Sequence, residues 1–132
     1  MAGDRQAERR DSTSPGTPAP SAFVRLGEGE FHARLAATAG VAIALFTAPH
    51  CGACRAWKRL LPDALGDVVQ VFYEIDVSEA TGVARGFDIF HLPTIYLYRD
   101  GRFHAELQCP AQAGTIRETA LHLLHRPAQE EP

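Results

Sequence analysis

Two cysteines separated by two residues, Cys51-Gly52-Ala53-Cys54, are the most reactive feature of this chain. On the first turn of a helix that spacing lets both sulfurs meet in a small disulfide loop, while the unpaired backbone N–H groups and the helix dipole favour a thiolate on the first cysteine. Cys51 then serves as the nucleophile that attacks a substrate disulfide and forms a mixed disulfide. Cys54, one turn along and buried, attacks back and releases the reduced product. The same spacing also serves zinc sites, so the pair taken alone leaves a metal-binding reading open.

Other residues extend both readings. His50 directly precedes the pair, and its imidazolium can stabilise the Cys51 thiolate or the ring can simply be an exposed loop side chain. Cys109 brings the cysteine count to 3, too few for a disulfide framework and odd, so at least one thiol has no partner within the chain. A zinc or iron–sulfur site would need Cys51, Cys54 and Cys109 with His50 or His91, but adjacent His50 and Cys51 rarely aim at one metal. No metal is therefore expected, and the only redox group is the Cys51–Cys54 disulfide itself. Arg55 after Cys54, where a c-type haem site has His, excludes covalent haem.

The elements that must hold the pair are legible as alternating patterns. Val41 to Phe46 is an unbroken apolar run of strand length, the mark of a central strand covered on both faces. From Cys51 to Leu65, Trp57, Leu60, Leu61 and Ala64 recur at helical steps, with Pro62 as a possible kink. Upstream, Ala22 to Leu26 predicts a strand and Glu28 to Ala39 a helix stopped by Gly40. Downstream, Val68 to Val77 predicts a strand and Ser78 the cap of a short helix through Arg85. Thr94 to Arg99, the turn dipeptide Asp100-Gly101 and Arg102 to Gln108 predict a hairpin. Thr115 to Glu118 reads as a capping box for a last helix with Ile116, Ala120 and Leu123/Leu124 on its apolar face.

The whole chain bounds what these elements can build. Its 132 residues, 45% hydrophobic and 22% charged, suit one soluble domain. That domain is expected over 22–125, between a disordered tail at 1–21, rich in Ser, Thr, Pro and charge, and a flexible tail at 126–132. A net charge of −3 gives no reason to expect nucleic acid or an anionic membrane as partner. The central apolar run is far short of the roughly 20 residues that cross a bilayer. Charges at Asp4, Arg5, Glu8, Arg9, Arg10 and Asp11 interrupt the stretch where a secretory signal has its apolar region, so the expected compartment is the cytoplasm.

Taken together, Phe46-Thr47-Ala48-Pro49-His50-Cys51-Gly52-Ala53-Cys54-Arg55, Tyr73-Glu74-Ile75-Asp76-Val77, Leu92-Pro93-Thr94 and Asp100-Gly101 make the region from Ala22 to Leu124 resemble the thioredoxin family. The resemblance implies an α/β thioredoxin fold, a central mixed β-sheet of about five strands flanked by about four helices. It implies a cis Leu92–Pro93 bond against the cysteines, with His50, Gly52 and Ala53 supporting the site and Leu92, Thr94 and Cys109 beside bound substrate. It also implies a thiol–disulfide oxidoreductase, a monomer whose partners are protein disulfide substrates and a thioredoxin-reductase-type electron donor, and most simply a reductant. The departures concern proton handling: the buried Asp of the family is replaced here by Leu45 and its accompanying Lys by Phe72, which predicts slow resolution by Cys54. A thioredoxin-fold binding or chaperone module without turnover is the competing class.

Overall fold

The computed structural model describes residues 22–132, so the expected tail at 1–21 lies outside the described residues. Nine elements follow one another along the chain: β1 (Phe23–Arg25), α1 (Phe31–Ala36), β2 (Val41–Thr47), α2 (Gly52–Leu65), β3 (Val71–Asp76), α3 (Thr81–Gly86), β4 (Thr94–Arg99), β5 (Arg102–Glu106) and α4 (Ala113–Leu124). Among the described residues they form one five-stranded sheet in the order β1-β3-β2-β4-β5. The first three strands run parallel and β4 and β5 antiparallel to their neighbours. The expected mixed sheet with four helices is what forms. No helix among the described residues is long and apolar enough to cross a membrane.

The period-2 geometry of β2 explains its unbroken apolar run, because each face of the strand meets a separate core. Ile43 and Leu45 point toward α2 and α4, where they pack with Trp57, Leu61, Ile116 and Ala120. Ala42, Ala44 and Phe46 point the other way, toward Phe31 and Leu35 of α1, Val83 of α3, and Phe87 and Tyr96. Trp57 is thus a core residue. The second core is a cluster of tilted and edge-to-face rings, with Phe46 near Phe31, Phe87 and Tyr96 at centroid distances of 5.8, 6.0 and 5.4 Å.

Tyr98 belongs to this cluster, and its hydroxyl is buried with no hydrogen-bond partner among the described residues. An unsatisfied buried donor is costly. Tyr98→Phe is therefore expected to leave stability unchanged or raise it by about 1 kcal/mol, as read from the midpoint of urea denaturation.

Several element ends differ from the sequence expectation, each for a local reason. Helix α1 starts at Phe31 rather than Glu28, because Glu28 turns outward and its Oε1 accepts from the N–H groups of Gly82 and Val83 at the start of α3. That carboxylate does the work expected of Ser78, which instead donates to Asp76. At its other end α1 closes at Ala36, where the Thr38 hydroxyl donates to the Arg34 carbonyl at 2.6 Å. Strand β3 begins only at Val71, since the N–H groups of Val68 and Val69 both donate to the Leu65 carbonyl and finish the turn after α2. The capping box is also absent: α4 begins behind Gln112 without a side-chain cap, which leaves Thr115 inside the first turn.

The hairpin forms at Asp100-Gly101, with φ of 50° and 83°, the left-handed pair of a two-residue turn. A Cβ at Gly101 would overlap the Ala36 carbonyl, so the position needs glycine for space as well as for backbone freedom. Beyond α4 the chain carries no regular element, yet the Gln129 N–H donates to the His104 carbonyl and its Oε1 accepts from the Glu106 N–H. These bonds lie along β5, the outer strand of the sheet.

Candidate active site

Strand β2 delivers the chain to the reactive pair through Ala48, Pro49 and His50 at its C-terminal end. His50 adopts a left-handed φ of 65°, which reverses the path into the helix. Cys51 is the N-cap of α2, with extended backbone, and its Sγ accepts the Cys54 N–H at 3.1 Å. A sulfur therefore satisfies one of the helix's open donors, and developing negative charge on that sulfur is met by the same N–H and by the helix dipole. Cys51 and Cys54 are joined as a disulfide, with Cα atoms 5.3 Å apart. Their environments differ: Cys51 is partly exposed, whereas Cys54 is 3% exposed.

The Leu92–Pro93 bond is cis. Thr94 pairs with Phe46 across β4 and β2, so Pro93 enters the sheet beside the strand end from which the cysteine loop departs. Thr94 is buried, and its hydroxyl donates to the His91 carbonyl at 2.7 Å. Leu92 packs at the edge of the aromatic core. Gly52 and Ala53 lie exposed on the first turn of α2. His50 is exposed beside Cys51 and makes no hydrogen bond among the described residues. Cys109 is half-buried against the α2–α4 core. Burial pushes its thiol up, against a smaller opposing hydrogen bond with Thr119.

A cleft of about 310 Å³ opens along the disulfide, and its far wall holds residues that spacing alone did not point to. Lys58 reaches in from α2, Thr47 from β2, Arg25 from β1, and Glu74 and Asp76 from β3. Glu74 and Asp76 are 8% and 6% exposed. The signal available in the sequence was two acids at alternate positions of an otherwise apolar strand. Among the described residues no group of three or more His, Cys, Asp or Glu gathers closely enough to hold a metal ion.

Asp76 is held at the mouth of this cleft by a full set of partners. Burial penalises its charge, but the Ser78 hydroxyl and N–H, at 2.6 and 2.8 Å, and the Arg25 guanidinium, at 2.9 Å, outweigh that and hold the carboxyl below its usual range. A carboxyl depressed on folding contributes stability above its unfolded value and loses it as pH falls through the folded value. Wild type is accordingly expected to lose more stability than Asp76→Asn between about pH 5 and pH 2, with the gap narrowing as pH falls. Urea denaturation at stepped pH measures it.

A family model described as Thioredoxin matches residues 22–122. The chain belongs to the thioredoxin family. A thioredoxin from Gallus gallus is 39% identical over 77 residues, 55% of this chain and 71% of that protein. A solved structure, the human ERp44 zinc-bound form, superposes with a TM-score of 0.63 at 19% identity, covering 76% of this chain and 31% of that one. The chain thus spans less than a third of the ERp44 chain, and that likeness concerns the fold. A thioredoxin fold with a cysteine pair at disulfide distance is suited to thiol–disulfide exchange.

Proposed function

We propose that the protein is a thiol–disulfide oxidoreductase that reduces disulfides of protein substrates through Cys51 and Cys54. The observation that carries the reading is the asymmetry of the pair: a partly exposed sulfur at the N-cap of α2 and a buried one on the same turn. In the reduced protein Cys51 attacks the substrate disulfide as a thiolate. The substrate stays tethered by one S–S bond until Cys54 displaces it. Pro93, Leu92 and Thr94 form the neighbouring rim against which a substrate chain lies. The similarity to a thioredoxin supports the reducing direction.

In this reading the protein works as a cytoplasmic monomer, recharged by a thioredoxin-reductase-type donor and acting without nucleic acid, membrane or added cofactor. Incubation with a thioredoxin reductase, NADPH and a disulfide-bonded protein tests it. Sustained NADPH oxidation that requires both this protein and the substrate is the expected result. The reading is contradicted if the pre-reduced protein leaves substrate disulfides intact.

A further inference from the structure

One charge pair in the cleft, a buried carboxylate with a half-buried lysine, has no part in the exchange chemistry described so far. Glu74 Oε1 lies 2.9 Å from Lys58 Nζ, and Oε2 accepts the Thr47 hydroxyl at 2.8 Å. Lys58 stands four residues after Cys54, on the same side of α2. Glu74 stands opposite Leu45 in the pairing of β3 with β2. All of these polar residues line the cleft that also holds Cys51 and Cys54.

Stability is a weak reason for such a pair, because well-packed apolar residues in the place of a buried ion pair are often as stable or more so. Its position beside reactive sulfurs offers a chemical reason. Cys54 attacks only as a thiolate, and at 3% exposure burial opposes its ionisation. Two carboxylates share the cleft. Asp76 has both oxygens committed, to Ser78 and to Arg25. Together they give Asp76 three hydrogen bonds, whereas Glu74 accepts one, from Thr47, and is otherwise paired with Lys58, one helical turn from Cys54. The cleft also has room for water, each molecule taking about 30 Å³.

We propose that Glu74, positioned by Thr47 and Lys58, accepts the proton of Cys54 in the resolving step. This inference rests on the oxidoreductase reading above. In the mixed disulfide, the Cys54 S–H proton passes to the Glu74 carboxylate. The resulting thiolate forms the Cys51–Cys54 bond as the bond from Cys51 to the substrate sulfur breaks. The substrate sulfur leaves with the electron pair and takes a proton from solvent, so the dithiol is oxidised and the substrate disulfide reduced. β3 thereby supplies the carboxylate that is missing at Leu45.

The test is rapid acid quenching of single turnovers between reduced protein and a disulfide-bonded protein, with the mixed disulfide quantified by mass. For Glu74→Gln, the mixed disulfide is expected to form at the wild-type rate and to decay on the order of a hundredfold more slowly at pH 7. The deficit should shrink as pH rises past roughly 8.5, where thiols ionise unaided. Because Glu74→Gln leaves the Lys58 charge unpaired, Glu74→Gln with Lys58→Gln is measured beside it, and the same slow decay is expected. Wild-type decay rates in both variants from pH 6 to 9 overturn the role of Glu74 while leaving the oxidoreductase reading intact. Absence of any mixed disulfide in the wild type and in both variants, with the substrate disulfide left unreduced, overturns both.

Discussion

Cys54→Ser will turn the protein into a trap that accumulates a mixed disulfide through Cys51, and Cys51→Ser will neither trap substrate nor reduce it. The contrast follows from the placement of the two sulfurs. Cys51 is partly exposed and caps α2, so it can meet a substrate disulfide and is the sulfur whose charge the helix start favours. Cys54 is buried and meets only the sulfur already captured. Loss of either should lower steady-state disulfide reduction by roughly 10³-fold or more, as for residues that act as a unit. Intact-mass analysis after incubation with an oxidised protein substrate separates the two. Equal trapping by both variants, or by neither, contradicts the assigned order of attack.

Phe46→Ala is expected to cost about 3–5 kcal/mol, measured by urea denaturation. Phe46 is 0% exposed and is shared by Phe31, Phe87 and Tyr96. Its ring fills the space between the sheet and both helices on that side, and rigid neighbours cannot collapse into the void. It also immediately precedes Thr47 and pairs with Thr94, which links the core to the mouth of the site. Val24→Ala, at an exposed position on β1 (39% exposed), serves as the comparison and should cost under about 0.5 kcal/mol.

The strands and the start of α2 were legible because each rests on local information. An apolar run of strand length, two cysteines ahead of a helical stripe, and Asp-Gly between two strands all carry their own geometry. Helix ends were less legible. The cap of α3 comes from Glu28, more than fifty residues earlier, and no local pattern shows a partner at that distance. The acid of the cleft was missed for the same reason. Looking at Leu45 and Phe72 alone predicted a site without a carboxylate, whereas the register of β3 against β2 puts Glu74 opposite Leu45. Lys58 then completes the pair from α2. Strand register is set by the hydrophobic faces of the whole sheet, so such a neighbour becomes visible only once the sheet is assembled.

The most direct test of the dithiol as the working group is a redox titration of the purified protein. The protein is equilibrated in a series of thiol/disulfide buffers, alkylated, and mapped peptide by peptide at Cys51, Cys54 and Cys109. Cys51 and Cys54 are expected to lose and gain protection together at one midpoint, near roughly −270 mV for a reductant, while Cys109 follows a separate course. Independent titration of Cys51 and Cys54, or failure of either to become protected under oxidising buffers, would contradict the account.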